Sequence, residues 1–196
     1  MDQQILSLIP SSTFFYSQKR TLYFLFSGYN DYFFNYYFQR NDIQPEQVVS
    51  SILNNIRFLI NDFKSRRIFV FNLGAMEKTP FAKSLPEEIK SIFQNITKTH
   101  NELLKIQVDI LLKQRQTDQE SLSIEIIDYS SLFNYILENP MHYGIKEVDI
   151  PCVNPQTNII CSDPDSYFFW DIYHVTSKIH QSIAVMAFSQ IQKFLD

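Results

Sequence analysis

The sequence predicts an α/β fold in which a parallel sheet is flanked by helices in three layers, and three observations carry that prediction. Short runs rich in aromatic and β-branched residues, Thr21–Phe26, Arg67–Asn72 and Leu122–Ile127, alternate with stretches whose apolar residues recur at helical spacing. The first two runs are continuously apolar, the pattern of strands buried on both faces. With 196 residues, 45% of them hydrophobic, the chain can build the core of one ordinary domain, taken here as residues 1–196.

The elements follow in order. Thr21-Leu22-Tyr23-Phe24-Leu25-Phe26 ends at Ser27-Gly28 and reads as the first strand. Pro45 sits at a first helical position, where its missing N–H costs nothing. Val48, Ile52, Ile56, Leu59, Ile60 and Phe63 then mark a helix of about five turns, closed by the basic Lys64, Arg66 and Arg67. Arg67–Asn72 is a second buried strand, followed by a loop through Gly74, Pro80 and Pro86. A long helix starts after Pro86 and carries Ile89, Ile92, Phe93, Ile96, Leu103, Leu104, Val108 and Leu111. Leu122–Ile127 is the third strand. Tyr129–Glu138 is a short helix stopped before Asn139-Pro140, an irregular stretch runs to about residue 170, and a last helix carries Ile179, Ile183, Met186, Ile191 and Phe194. In such a fold, functional residues belong in loops beyond the carboxyl ends of the strands. Gly28-Tyr29-Asn30-Asp31, directly after the first strand, and Asp171–His174, just before the last helix, both sit in such loops.

Composition excludes several classes of function. A net charge of −4 with scattered lysines and arginines offers no electrostatic footprint for nucleic acid. No apolar run approaches the roughly 20 residues that cross a bilayer, and residues 1–20 lack the pattern of a secretory signal. With glycine only at 28, 74 and 144, neither a dinucleotide fingerprint, a P-loop nor a G-x-S-x-G elbow can be built. His174, His142 and His180 lack a third partner at zinc spacing, so no metal and no cofactor is expected; His180 and His100 read as structural. Cys152 and Cys161 could close a small loop in an oxidising compartment or stay as thiols in a reducing one. The aromatic run Tyr32–Phe38 could line an acyl-chain pocket, but core packing is the simpler reading.

The chemistry concentrates near the end of the chain, in Asp163-Pro164-Asp165-Ser166-Tyr167-Phe168-Phe169-Trp170-Asp171-Ile172-Tyr173-His174-Val175-Thr176. An Asp-x-x-His pair lets a carboxylate orient the imidazole that takes a proton from a serine nucleophile. The segment resembles the last block of the GDSL (SGNH) ester hydrolases, Phe-Trp-Asp-x-x-His-Pro-Thr, with Val175 where relatives usually have proline. Ser27-Gly28-Tyr29-Asn30-Asp31 resembles that family's Gly-x-Asn-Asp block. Arg67–Leu73, Thr79-Pro80, Asn139-Pro140, Tyr143-Gly144 and the two cysteines match further stretches of its lipase, lysophospholipase and haemolysin-like branch, in order.

The resemblance implies a flavodoxin-like SGNH hydrolase fold acting on lipid or other carboxylic esters, in proteins that are often secreted. It implies that His174 is the general base, Asp171 its orienting carboxylate, Asn30 an oxyanion donor and Gly28 a substrate contact. The Gly-Asp-Ser nucleophile block has no counterpart, since the one Asp-Ser step, Asp165-Ser166, follows Pro164 inside the histidine block. The chain therefore resembles the downstream two thirds of the family domain, lacking its first strands. Two readings follow: an ester hydrolase part inactive alone, which needs a complementing N-terminal chain or self-association through an open sheet edge, or a non-catalytic remnant or interaction module that keeps the fold.

Overall fold

Each of the three runs becomes a strand: β1 (Tyr23–Leu25), β2 (Arg67–Phe71) and β3 (Ser123–Ile127). They form one parallel sheet in the order β1-β2-β3, and with its helices the molecule has the expected α/β class. The computed structural model describes residues 21–40, 42–115 and 122–194; the first twenty, on which the expectation about an export signal bears, lie outside the described residues. Tyr23, Phe24 and Leu25 pair with Ile68, Phe69 and Val70. The chain divides into two units, residues 1–72 with 98–126 and residues 73–97 with 127–196.

In the first unit, β2 is buried along Ile68–Phe71, as its apolar run requires. β1 corrects the expectation of a strand buried on both faces: Phe24 and Phe26 are half-exposed. The reason is position, since among the described residues β1 lies at an edge of the sheet with only β2 beside it. Phe24 stacks on Phe69 at 5.1 Å and Phe26 on Phe71 at 4.9 Å, so the rings are covered from one side.

Gly28 turns the chain from β1 into α1 (Tyr29–Tyr37) with φ 124°, a conformation that favours glycine because a Cβ would clash there. α2 (Pro45–Asn61) begins at Pro45, and its Gln47 side chain accepts the Gln44 backbone N–H at 2.8 Å. Val48, Ile52, Ile56, Leu59 and Ile60 are buried as the spacing predicts, Val49 and Leu53 widen the buried face, and Phe63, expected on the same stripe, lies beyond the end of the helix. The helix stops before the basic cluster rather than within it. Lys64 adopts φ 54° and its Nζ donates to the Asn61 carbonyl, satisfying one of the last free acceptors of the helix.

α1 is fastened by a contact between residues 68 positions apart: the Tyr32 hydroxyl lies 2.7 Å from His100 Nδ1, both side chains being buried. Through this contact His100 takes part in packing α1, while among the described residues its buried Nε2 has no hydrogen-bond partner. Burial holds its imidazole down at about 4, against an ordinary 6.5. A depressed histidine pKa means that the folded state prefers the neutral ring. The associated stability is whole above pH 6.5 and is lost as pH falls toward 4, by about 3 kcal/mol. Urea unfolding at pH 7 and pH 4 should show that loss, and His100→Gln should flatten the pH dependence by a comparable amount.

The second unit departs from the sequence reading after β2. The expected loop folds into a 3₁₀ turn (Met76–Lys78) and a one-turn helix α3 (Pro80–Lys83). Thr79 explains both: its hydroxyl donates to the Met76 carbonyl at 2.8 Å and accepts the Ala82 N–H at 3.2 Å, while Pro80 presets the first helical residue. α4 (Glu87–Gln114) belongs to the second unit up to Thr97 and to the first from Lys98. Its buried positions, Phe93, Thr97, His100, Leu104, Val108 and Leu111, follow steps of three and four; Ile92, expected inward, is exposed because it lies off that stripe. The sequon Asn95-Ile96-Thr97 lies within this helix, with Thr97 buried and donating to the Phe93 carbonyl.

α5 (Tyr129–Glu138) has the expected bounds, capped by Asp128 on the Ser131 N–H and ended before Asn139-Pro140. α6 (Ser177–Ile191) buries Ile179, Ile183 and Ala187. Phe133 of α5 meets Phe168 at 4.9 Å and Phe169 at 6.1 Å, giving the unit an aromatic centre. Among the described residues, no helix is long and apolar enough to cross a membrane.

Candidate active site

Asp171 and His174 stand at the tip of a small hairpin whose geometry follows from the residues around them. The Trp170 N–H donates to the His174 carbonyl at 2.7 Å and the Thr176 N–H to the Phe168 carbonyl at 3.0 Å, closing an antiparallel pair of Phe169 with Val175. These two bonds flank the Val175 position without using its N–H. A proline at this position would remove no donor from either bond. Thr176 is buried and adds a hydroxyl bond to the Tyr167 carbonyl at 2.8 Å.

Within the turn, Asp171 serves backbone and ring together. Its Oδ1 accepts the N–H groups of Tyr173 at 2.8 Å and His174 at 2.7 Å, the Asx-turn chemistry that suits aspartate to such a position. Its Oδ2 lies 2.8 Å from His174 Nδ1, with Oδ1 at 3.0 Å. The carboxylate therefore fixes the ring through Nδ1 and leaves Nε2 outward on a side chain that is 72% exposed. An imidazole held in this way can accept a proton at Nε2 while the carboxylate stabilises the imidazolium. The turn is braced by the Phe81 N–H donating to the Ile172 carbonyl at 3.0 Å and by Phe81 against Tyr173, ring centres 5.0 Å apart. Phe81 was not legible as a support, because only the fold brings residues 91 positions apart together.

The two cysteines, left open by the sequence, form a disulfide. It closes a hairpin joined to the same frame: the Cys152 N–H donates to the Phe169 carbonyl and the Val153 N–H to that of Trp170. Val153 in turn bridges to Ile160. The chain order Ile160, Val153, Trp170, His174 is thus a continuous run of backbone partners.

Gly28 and Asn30 belong to the first unit. Gly28 is buried at the N-cap of α1, and Asn30 is the second residue of the helix, exposed, with no side-chain hydrogen-bond partner among the described residues. Its amide is thereby available to an outside acceptor. The aromatic run falls on the same helix and divides as an amphipathic segment does, with Tyr32 and Phe33 buried and Phe34, Tyr37 and Phe38 exposed. His142 and His180 are exposed, the latter on the first turn of α6.

Comparison with known proteins bears on this arrangement. The profile of the family described as GDSL-like Lipase/Acylhydrolase matches residues 2–185. The chain is 24% identical to GDSL esterase/lipase 2 of Arabidopsis thaliana over 198 residues, covering 87% of this chain and 51% of that protein. It is 27% identical to GDSL esterase/lipase EXL2 of the same plant over 194 residues, covering 88% and 50%. A further Arabidopsis GDSL esterase/lipase is 26% identical over 176 residues, covering 80% and 47%. The chain spans about half the length of the curated relatives it matches.

Proposed function

The chain belongs to the GDSL-like lipase/acylhydrolase family, and from that membership we propose that it contributes the base and oxyanion groups of a serine ester hydrolase acting on lipid esters. The observation that carries this reading is the 2.8 Å contact of Asp171 Oδ2 with His174 Nδ1, which leaves Nε2 outward. In the proposed reaction a serine hydroxyl attacks the acyl carbonyl and passes its proton to Nε2. Asp171 holds Nδ1–H throughout and balances the imidazolium charge. His174 then gives the proton to the leaving alcohol, and water, activated by the same nitrogen, releases the acyl group.

The oxyanion formed at the carbonyl is assigned to the Asn30 amide. The N-terminus of α1 adds its partial positive charge, and Gly28 lets the backbone come close to the substrate. The sequence holds no Gly-Asp-Ser block, so the serine is assigned to a complementing segment outside these residues, and the isolated chain is expected to be inactive. That segment, or a second copy, is proposed to add beside β1, an edge strand among the described residues.

Co-expression with a Gly-Asp-Ser segment tests the reading. Hydrolysis of a nitrophenyl ester should appear only when both parts are present, and its failure to appear with any such segment would sink the proposal. In that assembly Asn30→Ala should lower kcat by about 10²–10³-fold with little change in KM, because the lost donor acts on charge that develops in the transition state.

A further inference from the structure

An apolar ledge runs from His174 into the disulfide-closed hairpin. From Ile150 to Ser162 no side chain carries a charge, and the segment is closed by Cys152–Cys161. An uncharged surface loop would ordinarily turn its aliphatic side chains inward. Here Ile159 is 66% exposed, Ile160 54% and Ile150 53%, and Trp170 is 37% exposed beside them. These residues are tied to the candidate site by backbone: Ile160 pairs with Val153, the Val153 N–H donates to the Trp170 carbonyl, and the Trp170 N–H donates to the His174 carbonyl.

We propose that this hairpin is an interfacial anchor, which sets Ile159, Ile160 and Trp170 into the surface of a lipid aggregate and brings ester groups at that surface to His174. Three features select a lipid surface as the occupant. The segment has no charge with which to pair a charged partner, and beside an exposed uncharged polar tip, Asn154 to Asn158, it presents the large aliphatics Ile150, Ile159 and Ile160 next to a tryptophan, a side chain that favours the boundary between water and hydrocarbon. The disulfide and the backbone bonds keep the hairpin from folding its isoleucines away. The hairpin is joined to His174 through Trp170, so the surface it meets is held on the same backbone frame as the reacting group. The identity of the occupant as substrate-bearing lipid rests on the ester-hydrolase reading; the binding itself does not.

Trp170 is the only tryptophan in the chain and therefore reports on the ledge without labelling. Neutral phosphatidylcholine vesicles added to the purified, disulfide-intact protein should shift its emission to shorter wavelength and carry the protein with them on flotation. Ile159→Asp/Ile160→Asp should reduce the vesicle-bound partition at least about tenfold, since charges at the membrane level are strongly disfavoured. Val185→Asp, an equally exposed aliphatic on α6, should leave it unchanged. Binding should persist when salt is raised to about 0.5 M, where surface electrostatics are screened.

Unchanged Trp170 emission with no flotation of the wild-type protein would overturn the proposal. So would wild-type binding by the double aspartate variant while its disulfide and unfolding midpoint remain normal, or binding that needs anionic lipid and vanishes in salt. Vesicle binding without ester cleavage in the complemented assembly would count against the hydrolase reading alone. Cleavage of soluble esters without vesicle binding would count against the anchor alone.

Discussion

Replacing His174 by alanine is expected to lower kcat for ester cleavage by about 10⁴–10⁶-fold in an assembly that supplies the serine. A serine hydroxyl is a weak nucleophile at neutral pH, and the proposed mechanism has one group that can both remove its proton and return a proton to the leaving alcohol. Asp171→Asn sharpens the test. An amide oxygen could still accept the Tyr173 and His174 N–H groups that build the turn. Its NH₂ would then face Nδ1 and force the proton onto Nε2, the wrong tautomer for a base, so kcat should fall by about 10⁴-fold with the fold intact. A stopped assay on a nitrophenyl ester, with urea unfolding of each variant, separates the two effects. Loss of activity in Asp171→Asn together with loss of fold would reduce Asp171 to a structural residue.

Phe169→Ala is expected to destabilise the chain by about 3–5 kcal/mol, the usual range for removing a buried phenyl ring. Phe169 is fully buried and packs against Phe168 at 4.7 Å and Phe133 at 6.1 Å. Close-packed neighbours cannot collapse fully into the vacated space, so the loss combines transfer and cavity terms. The same residue accepts the Cys152 N–H and pairs with Val175. The lesion therefore lies directly beneath the Asp171–His174 turn. Urea unfolding at pH 7 measures it, with the slope checked for an unchanged extent of unfolding. A cost under about 1 kcal/mol would mean that the ring is not part of a packed core.

How much the sequence discloses depends on how local the cause is. Pro45, and Asp128 with Asn139-Pro140, each determine a helix end from within a few residues, and the observed start of α2 and both bounds of α5 reflect that, whereas α2 ends at Asn61, short of the Phe63 and basic cluster that the apolar spacing includes. The Thr79 cap is equally local, but its motif is too short to stand out from a loop, so α3 leaves no legible signal in the sequence. The exposure of Phe24 and Phe26 was not legible because burial of a strand depends on its neighbours, not on its own apolar run. Asp171-x-x-His174 could be read because carboxylate and ring sit within one turn. The Tyr32–His100 bond, the Phe81 brace and the ledge from Ile160 to His174 join distant positions and leave no mark in either segment.

The central claim is that this chain supplies the base for a serine located elsewhere. Mapping a fluorophosphonate adduct by mass spectrometry tests it most directly, using the chain co-expressed with a Gly-Asp-Ser segment. The adduct is expected on the serine of that segment, and only when His174 is present. An adduct on a serine of these 196 residues, or labelling of the segment that persists in His174→Ala, would contradict the account.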